Sequence, residues 1–124
     1  MSVIQIKRVY EAAEPADGFR IMVDRLWPRG VAKEELQFDE WRKDIAPSPE
    51  SRKDFGHNPA KMDDFRARYR HELENNPTSP EFVTIVEDKL KTGNVTLLYA
   101  AKSETVNHAI ILCEWLMEQL ATRK

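Results

Sequence analysis

From Val3 to Val9 apolar and polar residues alternate. Val3, Gln5, Lys7 and Val9 fall on one face, and Ile4, Ile6 and Arg8 on the other. This period of two predicts a first strand. Glu11 to Gly18 carries Pro15, Asp17 and Gly18 and reads as a loop. Phe19-Arg20-Ile21-Met22-Val23 predicts a second short strand, which stops at Asp24-Arg25. Beyond it Pro28 and Gly30 keep Leu26 to Gly30 irregular. Residues 31–56 predict short helical turns joined by Pro-containing loops, with Asp39 capping a turn that carries Trp41 and Ile45.

The pattern then changes to helical spacing. Ser48-Pro49-Glu50 supplies a hydroxyl cap, a proline at the first position and a carboxylate near the positive helix end, and Gly56 terminates that helix. Asn58-Pro59 opens a second helix with Met62, Phe65, Tyr69 and Leu73 on one stripe, stopped by Asn75-Asn76-Pro77. Ser79-Pro80-Glu81 opens a third, with Phe82, Ile85, Val86 and Leu90 inward and Gly93 just past its end. Val95 to Ala101 is almost continuously apolar, as expected of a strand buried on both faces of a parallel sheet. The last helix has a predicted inner stripe of Val106, Ala109, Ile110, Cys113, Leu116, Met117 and Leu120. Ile111, Leu112 and Trp115 widen its apolar surface, so it is either deeply covered or part of a homodimer interface. The order of elements predicts an α/β chain forming one domain over residues 1–124. Its core is a small, mainly parallel sheet of about three strands flanked by helices.

Composition narrows the classes. Three Trp, five Phe and three Tyr supply large apolar groups and exclude a disordered chain. Nineteen Lys plus Arg against 21 Asp plus Glu leave a net charge of −2, which argues against a sequence-blind nucleic-acid coat. The single Cys113 excludes an intrachain disulfide and points to a reducing cytoplasm. No secretion signal and no run of eighteen apolar residues is present, so no membrane partner is expected.

In an open α/β sheet, ligands bind beyond the carboxyl ends of the strands. After the second strand come Asp24, Arg25 and Arg29; after the third come Lys102, Ser103, Asn107 and His108. Arg25, Arg29 and Lys102 near the start of the last helix suit a phosphate or carboxylate, with Asn107 and Ser48 as further binding residues. Asp24 and His108 are the candidate acid–base pair, and His57 lies in a loop placed to close over them. Asp24 with Arg25 or Arg29 also reads as an ion pair that pins the loop, and Trp27 as a packing anchor. Arg66, Arg68 and Arg70 diverge around their helix and read as a solvated face. The three histidines lack close-spaced ligand partners, so no metal residue is nominated, and the cofactor is left open. A glycine-rich phosphate loop and the pattern Gly-x-Ser-x-Gly are both missing.

Asp24-Arg25-Leu26-Trp27-Pro28-Arg29-Gly30 resembles the YeaO-like family of uncharacterised bacterial proteins, domain of unknown function 488. The resemblance continues through Lys43 to Ser48, Phe55-Gly56-His57-Asn58-Pro59, Thr96 to Lys102 and Asn107-His108-Ala109. Asn58 and Ser103 stand where that pattern has Asp, so two carboxylates are missing. The resemblance implies a compact α/β domain with its signature gathered at strand ends, and it implies no reaction. The leading expectation is a cytoplasmic protein that binds an anionic small molecule, such as a nucleotide or phosphorylated metabolite. Hydrolysis or group transfer there fits the residue types. The alternative is a non-catalytic binding or regulatory module acting through a protein partner, with nucleic acid a weaker third.

Overall fold

The computed structural model describes residues 2–123. Four strands, β1 (Ile4–Arg8), β2 (Phe19–Met22), β3 (Glu40–Trp41) and β4 (Val95–Tyr99), form one sheet in the order β1-β4-β2-β3. Every pairing is parallel. Ile4 sits opposite Val95, Phe19 opposite Val95 from the other side, and Ile21 opposite Glu40. The central strand β4 is buried along its whole length, as its apolar run predicts. Four helices complete the domain: α1 (Pro49–Phe55), α2 (Met62–Asn75), α3 (Ser79–Leu90) and α4 (His108–Thr122). Their starts follow the local chemistry. Ser48 Oγ accepts from Ser51 N at 3.1 Å, and Asn107 Oδ1 accepts from Ile110 N at 3.0 Å. Gly56 ends α1 in the left-handed conformation, φ 54°.

The sheet has a fourth strand that the alternation of residues does not reveal. Glu40–Trp41 is only two residues long, and backbone and side-chain bonds hold it to β2 rather than any apolar pattern. Asp39 N donates to Arg20 O, Asp39 Oδ2 accepts from Arg20 N, and Arg42 N donates to Met22 O. The expected helical turn around Trp41 is therefore an edge strand, followed by a 3-10 turn at Lys43–Ile45.

The two faces of the sheet differ. Ile4, Ile21, Val95, Leu97 and Tyr99 meet buried residues of all four helices, among them Phe55, Tyr69, Phe82 and Ile111. On the other face Met22 and Leu98 meet Val9 and Leu36, with Trp27, Val31 and Trp41 packed alongside; no helix contributes there. Nearer the amino ends of the strands that second face turns polar. Gln5, Lys7, Arg20 and Thr96 join Asp17, whose carboxylate takes the Lys7 ammonium at 3.1 Å and the Arg20 guanidinium. Gly18, at φ 66°, brings the loop against Asn94, where a Cβ would lie 2.1 Å from the Asn94 carbonyl oxygen, so only glycine fits.

The face that α4 buries also departs from expectation. Ala109, Ile111, Leu112, Trp115 and Leu116 are buried, whereas Met117 is 52% exposed and Ile110, Cys113 and Leu120 are only partly covered. The covered arc is centred on Ile111, Leu112 and Trp115 because α4 is wedged between the sheet and α2. There the Trp115 indole N–H donates to Glu74 at 3.0 Å. Arg66 and Arg70 reach across the same seam to Glu114 and Glu118. No helix among the described residues is long and apolar enough to cross a membrane.

Candidate functional site

The carboxyl ends of β1, β2 and β4 open into a cavity of about 310 Å³. One wall is the segment Asp24 to Arg29, and a second is Ala46-Pro47. Arg52 of α1 and His57 close a third side, with Ala100-Ala101, His108 and Tyr10 completing it. A smaller hollow of about 60 Å³ adjoins it, shares Arg52, His57, Ala101 and His108, and reaches Asn107.

Backbone bonds hold this frame. Asp24 Oδ2 accepts from Ala100 N at 3.0 Å, which ties the segment after β2 to the segment after β4. The Trp41 indole N–H donates to Asp24 O at 2.7 Å. His108 Nε2 lies 3.1 Å from Val23 O, and a carbonyl only accepts, so Nε2 carries the proton in that bond. Asp24 Oδ1 stands 3.1 Å from the same nitrogen but off its N–H axis, and this sealed oxygen has no aligned donor among the described residues. Tyr69 lies edge-on to the His108 ring at 6.2 Å and donates its phenol to Ile45 O at 2.6 Å. Burial pushes the Tyr69 phenol well above its usual range, with Glu72 and Asp24 reinforcing the shift, so it stays a neutral donor.

Arginines complete the frame. Arg25 Nη2 donates to the carbonyls of Ala46 at 3.3 Å and Pro47 at 3.1 Å. Arg8 Nε donates to Ala101 O at 2.9 Å and Nη2 to Ala100 O at 3.4 Å, while its guanidinium lies 4.9 Å over the Tyr10 ring. Arg29 and Arg52 border the cavity and are exposed. Arg8, Arg25, Arg29 and Arg52 have no carboxylate partner among the described residues. Each of the other arginines has one: Arg20 with Asp17, Arg42 with Asp44 and Glu81, Arg66 with Glu114, Arg68 with Asp54, Arg70 with Glu118 and Arg123 with Glu87. The uncompensated guanidinium charge of the molecule thus gathers at one place. Larger surface hollows lack it. The one between α1 and α2, about 380 Å³, contains Arg68 already tied to Asp54. The one of about 590 Å³ over the loop-covered face contains Arg20 already tied to Asp17.

Of the residues singled out by sequence, Asp24, Arg25, Arg29, His57 and His108 come together around the cavity, and Asn107 around its smaller annex. Lys102 and Ser48 do not line it. Lys102 is exposed and is not among the residues that line the cavity or its annex. Ser48 is consumed as the α1 cap and donates to Glu72 at 2.7 Å. Asn107 is likewise committed: it caps α4 and donates to Ser103 O at 2.8 Å. The ion pair expected of Asp24 with Arg25 or Arg29 is not formed; the carboxylate instead takes the Ala100 N–H and lies 3.1 Å from His108 Nε2. Trp27 is the packing anchor expected, edge-on to Trp41 at 5.6 Å. His57 holds a left-handed backbone, φ 57°, directly after Gly56, a strained position for a side chain at the cavity rim.

Sequence reasoning missed Arg8, Tyr10 and Arg52. Arg8 ends β1, so applying the strand-end rule to the first strand as well finds it. Arg52 lies one helical turn before Gly56, and that spacing was the available signal. Among the described residues no three His, Cys, Asp or Glu side chains converge in a way that suits a metal ion.

Comparison with known proteins extends over the same elements. The chain is 47% identical over 113 residues to "Uncharacterized protein YeaO" of Escherichia coli (strain K12), covering 91% of this chain and 96% of that protein. It is 34% identical over 113 residues to "Uncharacterized protein Mb3100c" of Mycobacterium bovis (strain ATCC BAA-935 / AF2122/97), covering 91% and 92%. "Uncharacterized protein Rv3073c" of Mycobacterium tuberculosis (strain ATCC 25618 / H37Rv) matches at the same identity and coverage. No solved structure matches this chain. Residues 3–124 match the family DUF488-N3i, described as "Inactive DUF488-N3 subclade". That span takes in all four strands, all four helices and every residue lining the cavity, and with it the chain belongs to the YeaO-like DUF488 proteins, in the family described as their inactive N3 subclade.

Proposed function

We propose that this protein binds a small anionic metabolite, bearing a phosphate or carboxylate, in the cavity at the carboxyl ends of the strands, and performs no chemistry on it. One observation carries the reading: the arginines without carboxylate partners are the four that line or frame this cavity. Guanidinium groups match carboxylate and phosphate geometry, and unpaired ones at a concave site attract such ligands. Arg29 and Arg52 are the contacts; Arg25 and Arg8 hold the walls and add positive potential. Asp24 and His108 act as a bracket between β2, β4 and α4, since each has a proton or acceptor committed to a backbone group. The missing carboxylates at Asn58 and Ser103 and the family's description as inactive favour binding over catalysis. The protein works in the cytoplasm in this reading, and burial pushes the lone Cys113 thiol up, which suits a structural rather than a redox role.

The test is thermal denaturation with increasing inorganic phosphate and phosphate monoesters. A ligand that binds only the native state raises the melting temperature, by an amount equivalent to about 2.7 kcal/mol at 100 times Kd. The double variant Arg29→Ala/Arg52→Ala should melt like the parent, because both side chains are exposed, and should lose the ligand-induced rise. An absent rise in the parent, or an undiminished one in the double variant, overturns the reading.

A further inference from the structure

Two of the five large apolar side chains left exposed among the described residues, Tyr10 at 47% and Leu26 at 67%, border the same cavity. Tyr10 is exposed without being loose. Its hydroxyl donates to Arg29 O at 3.1 Å, and the Arg8 guanidinium covers its ring at 4.9 Å. Arg8 is in turn fixed by Ala100 and Ala101 carbonyls. A half-exposed aromatic ring held at both its polar end and its face loses little freedom when a flat group stacks on it, which is the property of a stacking platform. The same hydroxyl bond couples the ring to Arg29, one of the two exposed cations. Asp24, the one carboxylate lining the cavity, is turned to the protein: Oδ2 takes the Ala100 N–H and Oδ1 is sealed from solvent, so it sets little charge against an anion there. An aromatic ring, an exposed leucine and two exposed cations thus lie around about 310 Å³.

We infer that the ligand is a ring-bearing phosphate of the nucleoside monophosphate class, its base stacked at Tyr10 beside Leu26 and its phosphate on Arg29 and Arg52. The inference rests on the anion-binding reading above and adds the ring to it. Inorganic phosphate alone would leave Tyr10 and Leu26 as exposed as they are in the free protein, and a sugar phosphate would leave the platform without a flat partner.

Binding of ribose 5-phosphate and of the four common nucleoside 5′-monophosphates to the full chain, followed by calorimetry, tests this. The nucleotides should bind about tenfold or more tightly than ribose 5-phosphate, in keeping with the usual worth of one base–aromatic stack. Tyr10→Ala should erase the preference, so that within that variant nucleotides and ribose 5-phosphate bind alike; Tyr10→Trp should retain the preference. Equal affinity for ribose 5-phosphate and nucleotides overturns the ring and leaves the anion site standing. So does a nucleotide affinity that ignores Tyr10→Ala. No binding of any phosphate removes both. The comparison of ligands on the unaltered protein needs no variant, so poor folding of a Tyr10 variant does not obscure it.

Discussion

Asp17 is 3% exposed and remains a carboxylate because of what surrounds it. Burial alone favours the neutral acid, but the Glu14 backbone N–H, the Lys7 ammonium and the Arg20 guanidinium outweigh it and hold the carboxyl below its ordinary value. A group whose acidity is strengthened by folding contributes stability above its unfolded pKa, about 3.9, and loses that contribution as pH falls through the lower folded value. Denaturant titrations from pH 7 down to pH 2 should therefore show the parent losing stability below about pH 4. Asp17→Asn should cost about 3 kcal/mol at neutral pH, because the buried Arg20 loses its carboxylate partner and Lys7 keeps only Glu14. Its acid loss should be smaller than the parent's, with the remainder carried by Asp44, Asp54, Glu72 and Glu118, whose carboxyls are also held low. An unchanged acid limb in the variant would mean that Asp17 carries no such linkage. Nothing in the spacing of Pro15, Asp17 and Gly18 announces this role. A loop aspartate reads as solvated until the fold lays it across β1 and β2.

Among elements, α4 separates what periodicity conveys from what it does not. Its existence and its start at Asn107 are legible, since the side-chain cap and the apolar density are local. Which side turns inward is not, because Ile110, Ile111, Leu112, Cys113, Trp115, Leu116 and Met117 leave hardly any polar arc to mark the outside. The sheet and α2 decide it between them. Urea denaturation should accordingly show Ile111→Ala losing about 2–5 kcal/mol, as a fully buried side chain does on truncation, while Met117→Ser changes stability by about 0.5 kcal/mol or less. Similar losses for both would restore the stripe that the sequence suggests. Strand β3 is the opposite case. At two residues it is too short for any alternation to register, and its placement comes from Asp39 and Arg42 bonding to β2. Strand β4 was legible in full, since burial on both faces leaves a continuous apolar run.

At the scale of the whole molecule, the candidate site is a meeting of segments far apart in sequence. The carboxyl ends of β2 and β4 were readable from the strand-end rule, and Asp24, Arg25, Arg29 and His108 with them. The contributions of β1 and α1 were not, because nothing local shows that Arg8 will reach Ala101 or that Arg52 will face the same space. Long-range placement also divides the arginines into frame and contact. Arg25 bonds two carbonyls of the Ala46-Pro47 wall, so Arg25→Ala should lower the melting temperature, by the equivalent of about 1–2 kcal/mol, and weaken anion binding as well. Arg29→Ala should weaken binding alone. Paired melting and binding measurements on the two single variants distinguish these outcomes; a melting temperature unmoved in Arg25→Ala would make it a contact residue like Arg29.

The strand order has a consequence in time. Because β4 lies between β1 and β2, neither of the first two strands finds a hydrogen-bonding partner in the other, and Ile4 waits for Val95. A chain leaving the ribosome carries β1 and β2 with open edges until Val95 to Tyr99 has been made. Pairings across such separations form slowly, and exposed strands attract other chains in the interval. The last strand therefore does more than complete the sheet. It delivers Ala100 and Ala101, on which Arg8 and Asp24 close, so that the sheet and the cavity are born in the same step.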